Sequence, residues 1–95
     1  MIKHMVIFNL KHETDAAETK QFLKDGETIL TSIPGVQNFG VFRQVSKKND
    51  YDFGFSMEFE NEQAYENYNK HFLHVNFVET RWNEEVTKFL EIDFT

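Results

Sequence analysis

The chain has 95 residues, room for one domain, and its 40% hydrophobic and 27% charged content excludes the low-hydrophobicity composition that stays disordered. A net charge of -6 argues against nucleic acid as a partner, and the absence of Cys excludes disulfides and thiolate zinc sites. Eleven Phe, three Tyr and one Trp are more large apolar surface than so small a core accommodates, which points to burial against a second copy, a homodimer.

Ile2 to Leu10 is rich in Ile, Val and Phe. One alternating set holds Ile2, Val6, Phe8 and Leu10, the other Met5 and Ile7, so the segment reads as a central strand apolar on both faces. Asp15 followed by Glu18 predicts a capped helix start, after which Phe22, Leu23, Gly26, Ile29, Leu30 and Ile33 recur at helical spacing until Pro34-Gly35. Val36 to Val45 is a second strand, and Ser46 to Asp50 a polar turn. The third strand alternates most strongly, with Phe53, Phe55, Met57 and Phe59 against Gly54, Ser56 and Glu58. Asn61 caps a helix carrying Ala64, Tyr65, Tyr68 and Phe72; a further helical stretch holds Val75, Phe77, Val78 and Trp82; Phe89 to Phe94 is the last strand.

This order is the split βαβ arrangement: an α+β, ferredoxin-like fold with a four-stranded antiparallel sheet and helices on one face, over residues 1–95 as a single domain. Met5, Ile7 and the surplus Phe residues assign the other sheet face to a partner copy, two sheets closing into an α/β barrel. The longest apolar run, Met5 to Phe8, is far short of the roughly 20 residues of a membrane span, so the chain reads as soluble and cytoplasmic, with no membrane partner.

Among chemistry-bearing residues, His12 in Lys11-His12-Glu13 reads as solvated, as do Glu84-Glu85. His4 shares the side of the first strand with Ile2, Val6 and Phe8, a position that suits a buried, hydrogen-bonded imidazole. His71 and His74 would be neighbours on a continuous helix, but no third ligand accompanies them, so no metal is expected. No nucleophile elbow and no phosphate-cradling glycine loop is present. His4, Tyr68 and His74 together, surrounded by Phe8, Tyr65, Phe72 and Phe77, have the composition of a small-molecule pocket.

The opening Ile2-Lys3-His4-Met5-Val6-Ile7-Phe8, the Ile33-Pro34-Gly35-Val36 turn, Phe59-Glu60-Asn61, His71-x-x-His74-Val75-x-Phe77 and Ile92-Asp93-Phe94 resemble the stress-responsive A/B barrel (Dabb) family over nearly the whole chain. The resemblance implies a ferredoxin-like fold that dimerises through its sheets. One plant branch of that family closes a linear polyketide by aldol condensation without metal or organic cofactor. Its catalytic His and Tyr correspond to His74 and Tyr68, and its first-strand pocket His to His4. The site residues implied are therefore His74 and Tyr68 as catalytic, and His4, Phe8, Phe72 and Phe77 as substrate-binding, with no cofactor and a small apolar or polyketide-like ligand. One departure stands between the two His residues, where Phe72 replaces the family's usual Pro. Two other readings share the fold: a non-catalytic stress-responsive structural or interaction protein, and a small monooxygenase.

Overall fold

The computed structural model describes residues 1–95. Strand β1 (Ile2–Leu10) is followed by helix α1 (Ala17–Leu30), strands β2 (Gln37–Arg43) and β3 (Phe53–Phe59), and helices α2 (Glu62–Lys70) and α3 (Phe72–Phe77). A π-helical turn (Val78–Trp82), a short helix α4 (Asn83–Glu85) and strand β4 (Val86–Phe94) complete the chain. The sheet order is β2-β3-β1-β4 with all pairs antiparallel, so β1 is central, as its two apolar faces predict. The fold is the expected ferredoxin-like α+β arrangement.

The helix-facing side of the sheet is the core. Phe53, Phe55, Met57 and Phe59 of β3 are buried with Val6, Phe8 and Leu10 of β1, and Phe22 and Leu30 of α1 close over them. Each such side chain contributes about 1.5–3 kcal/mol by leaving water. Helix α1 approaches closely at Gly26: a Cβ there would lie 2.7 Å from the Phe55 ring, so only glycine lets that ring sit beneath the helix.

The opposite side has no cover. Met5 and Ile7 are half-buried, and Phe42, Leu90, Ile92 and Phe94 are exposed around the flat floor made by Gly40, Gly54 and Ser56. The register places these side chains on one face, since Ile7 pairs with both Gly54 and Leu90, and Met5 with both Ser56 and Ile92.

Local details depart from the sequence expectation in four places. Helix α1 starts behind Ala16 without a side-chain cap; Asp15 lies 3.4 Å from Arg43 instead, and the Thr19 hydroxyl donates to the Glu13 carbonyl at 2.6 Å. The helix does not continue through the two His residues. It stops at His71, whose ψ of 137° is extended, and His71 Nδ1 accepts from the Leu73 N–H at 3.1 Å to cap α3. The break is therefore present with Phe72, not Pro, at the first position of α3. Strand β4 begins earlier than expected, at Val86.

The fourth departure is electrostatic. His12 and Glu85 are not solvated: His12 Nε2 donates to Glu85 Oε1 at 2.8 Å, and their side chains are 18% and 14% exposed. Arg81, in the π-helical turn, joins Glu85 at 2.6 Å and Asp25 of α1 at 2.7 Å. This network ties the turn to α1 and to the segment just after β1, and each of its half-buried charged groups meets an opposite partner. As expected, Asn61 caps α2, its Oδ1 accepting from the Ala64 N–H at 2.9 Å.

Candidate functional site

Between the helix-facing side of the sheet and the α3–π-turn segment lies a cavity of about 250 Å³. Strand β1 supplies His4 and Val6, β3 supplies Phe55 and Met57, and β4 supplies Phe89 and Glu91. Tyr68 comes from α2, His74 and Phe77 from α3, and Val78 and Trp82 from the π turn. A π turn adds one residue to the helical path and so re-aims the side chains beyond it. Here Trp82 packs on Phe8 at 4.9 Å and on Phe89 at 5.6 Å, forming one end of the wall.

Alternation on β1 directs His4 into this space, 4% exposed. Its Nδ1–H donates to Asp93 Oδ1 at 2.6 Å, and the Tyr65 hydroxyl, 2.9 Å from the same nitrogen, donates to the Asp93 carboxylate at 3.0 Å. This bonding leaves Nε2 as the free ring nitrogen.

Tyr68 is 3% exposed, with its ring 6.4 Å from His4 and 4.5 Å from His74. No fully enclosed side-chain N or O lacks a partner, and the Tyr68 hydroxyl makes no hydrogen bond within the chain, so it opens onto the cavity. Burial, reinforced by Tyr65 and Glu91, pushes its ionisation far above that of a free tyrosine, which keeps the hydroxyl a donor at neutral pH.

His74 Nδ1–H donates to the Asn69 carbonyl at 3.1 Å, one of the carbonyls that the end of α2 leaves without a helical partner. That bond sets the tautomer, with Nε2 carrying the lone pair. Burial and the nearby His4 hold its pKa below the ordinary 6.5, against the opposing influence of Asn69 and Glu91. A neutral imidazole beside a protonated phenol is a base next to a hydrogen-bond donor.

The structure thus brings four of the six expected site residues, His4, Tyr68, His74 and Phe77, to one cavity. Phe8 and Phe72 do not line it. Phe8 is fully enclosed, with Phe22, Phe53, Phe55 and Trp82 packed around its ring, so it supports the wall from behind. Phe72 is 72% exposed and stacks on His71, because the helix break turns it outward. Sequence reasoning missed Asp93, Glu91 and Asn83. A signal existed for two of them: alternation along β4 puts Phe89, Glu91 and Asp93 on one face and Leu90, Ile92 and Phe94 on the other.

No three His, Asp or Glu side chains converge as metal ligands. No helix is long and apolar enough to cross a membrane.

Comparison with known proteins agrees with this architecture. A Dabb-family protein with a ferredoxin-like fold from Mesorhizobium loti is 53% identical, with a TM-score of 0.98, covering 99% of this chain and 94% of that one. A dimeric ferredoxin-like protein of unknown function from Thermobifida fusca is 17% identical, with a TM-score of 0.78 and coverage of 99% and 89%. The hydroxynitrile lyase of Passiflora edulis is 10% identical, with a TM-score of 0.83 and coverage of 98% and 90%. Among curated proteins none matches the chain significantly. The family model described as the stress responsive A/B barrel domain matches residues 2–95, and the chain belongs to this Dabb family.

Proposed function

We propose that the protein works as a homodimer with one small-molecule site per subunit, and that His74 and Tyr68 perform cofactor-free, cyclase- or lyase-like acid–base chemistry there. The observation that carries this reading is the convergence of His4, Tyr68 and His74 on a single, largely apolar cavity of about 250 Å³. A carbonyl compound seated against the Tyr68 hydroxyl would present an adjacent C–H to His74 Nε2. The proton passes to the imidazole, and the C–H electron pair moves into the carbonyl as an enolate. Its oxygen is held by the Tyr68 O–H in surroundings that exclude water and so strengthen that bond. The enolate carbon then attacks a second carbonyl, and the imidazolium returns its proton to the new alkoxide. Run backwards, the same steps cleave a C–C bond. Hydroxynitrile lyase chemistry in the Passiflora protein is compatible with this kind of use of the fold.

A purely structural role is less well supported. In a filled core the three polar side chains would satisfy one another, whereas the Tyr68 hydroxyl and His74 Nε2 bond to no group in the chain.

The uncovered sheet face supports self-association: Phe42 on β2 and Leu90, Ile92 and Phe94 on β4 are exposed on either side of Met5 and Ile7, an apolar face of the kind a second copy buries. The Thermobifida relative is described as dimeric.

The test is a metabolite screen by native mass spectrometry, followed by turnover assays on any compound retained. His74→Ala is expected to lose roughly a hundredfold or more in rate, and Tyr68→Phe about a hundredfold. A His74→Ala protein as fast as wild type would overturn the assignment. For the dimer, sedimentation at micromolar concentration is expected to give twice the 11.3 kDa chain mass; a stable folded monomer would refute it.

A further inference from the structure

The cavity wall carries a charge pattern as well as a shape. No Lys or Arg is among its 13 lining residues, and Glu91 is the one lining carboxylate, exposed at the rim beside exposed Phe89 and Asn83. Glu91 makes no hydrogen bond or ion pair, so its charge is uncompensated and faces whatever enters. The cations nearest in sequence are occupied elsewhere: Lys88 by Asp50 at 2.5 Å, and Arg81 by Asp25 and Glu85. The π faces of Tyr68, Phe77, Trp82 and Phe89, electron-rich at their centres, present no anion site.

Size narrows the ligand further. A dry cavity of about 150 Å³ holds a benzene molecule. By that measure 250 Å³ suits about ten non-hydrogen atoms, a single ring with a short substituent, and a long linear polyketide would project past the rim.

We propose that the site selects an uncharged, single-ring carbonyl compound, and that Glu91 is the specificity-determining residue that turns carboxylates away. This rests on the reading of the cavity as a small-molecule site. Repulsion between two unit charges across a partly solvated rim is expected to weaken binding of a carboxylate about tenfold relative to a neutral isostere.

Acetophenone, 4-acetylbenzamide and 4-acetylbenzoate test this directly. The last two differ in charge and hardly in shape. Trp82, the only Trp in the chain and part of the cavity wall, reports occupancy through its emission. In the wild-type protein the benzamide is expected to bind about tenfold more tightly than the benzoate. Glu91→Gln is expected to bring that ratio to within threefold of one, and Glu91→Lys to invert it. A ratio near one in the wild type, or one unmoved by both substitutions, overturns the charge filter and leaves the small-molecule reading standing. No response of Trp82 to any of the three compounds overturns that reading, and the charge filter with it.

Discussion

His4 and Asp93 are register partners on neighbouring strands, and their side chains meet at 2.6 Å between Nδ1 and Oδ1. Cross-strand pairing brings the two Cβ atoms within reach, so backbone geometry itself aims the imidazole. The Tyr65 hydroxyl sits 2.9 Å from the same nitrogen, which gives His4 an alternative acceptor. Asp93→Ala is therefore expected to cost only about 1 kcal/mol, near the low end for orphaning a buried donor. At this chain length the loss reads as a fall in Tm of about 4–8 °C. With Tyr65→Phe also present, nothing is left to accept from His4 Nδ1, and the double variant is expected to lose more than the sum of the single ones. Thermal unfolding of the four proteins checks this; strict additivity would show that the three groups do not act as a unit.

His74 makes stability depend on pH in a definite direction. Its native pKa lies below the ordinary 6.5 because burial disfavours the imidazolium. As pH falls through 6.5 the unfolded chain takes up a proton at this position that the native protein still refuses, so stability drops on the acid side and is unaffected by this group above 6.5. His74→Gln is expected to reduce the difference in urea midpoint between pH 7.5 and pH 5.5. The same shift keeps the base unprotonated in turnover, so the acid limb of a rate profile belongs below 6.5. A limb above that value would point to a different base.

The network around Arg81 operates at lower pH. Arg81 holds the Asp25 carboxyl below its usual 3.8, chiefly through their hydrogen bond. Burial alone would raise Glu85, but the bonds from Arg81 and His12 outweigh it and bring it below 4.5. Both native carboxyls are depressed. Their contribution is thus present above about pH 4.5 and is lost as pH falls through the lowered native values, where the unfolded chain already binds the protons. Arg81→Met is expected to lower stability at neutral pH and to flatten the loss between pH 4.5 and pH 3, measured by chemical unfolding at each pH. Because Arg81 belongs to the turn that carries Val78 and Trp82, faster amide exchange in residues 78–82 should accompany it.

What was legible in the sequence was what is local. The alternation of Phe53, Phe55, Met57 and Phe59 marks a buried strand face because side chains alternate every residue, and Asn61 caps α2 because an amide oxygen reaches three residues ahead. Alternation puts His4 on the core face of the first strand and the covering helical segment carries Tyr68 and His74, which suggests a polar cluster; likeness to a family is what assigns the three their separate roles. Asp93 stayed hidden because its partner is 89 residues away and the register that joins them is set by the whole sheet. The outward turn of Phe72 was missed for the opposite reason: Tyr68 to Phe77 carries helical spacing throughout, and the break at His71 depends on a side-chain cap that competes with helix continuation.

That break supplies the last expectation. Phe72 occupies the first position of α3, where an N–H has no intrahelical partner, and the residue before it is already extended, with ψ of 137°. Proline fits such a position without strain, since its fixed φ suits a first helical residue and it favours an extended predecessor. Phe72→Pro removes an exposed ring and its stacking on His71 at 5.0 Å, a contact open to solvent. It also narrows the unfolded chain's conformational freedom, a gain of about 0.4–1 kcal/mol. The variant is expected to melt about 2–8 °C higher, with Trp82 emission unchanged because the cavity wall does not include residue 72. A lower Tm would mean that the aromatic ring or its N–H holds the bend, and that the cap from His71 to Leu73 does not suffice alone.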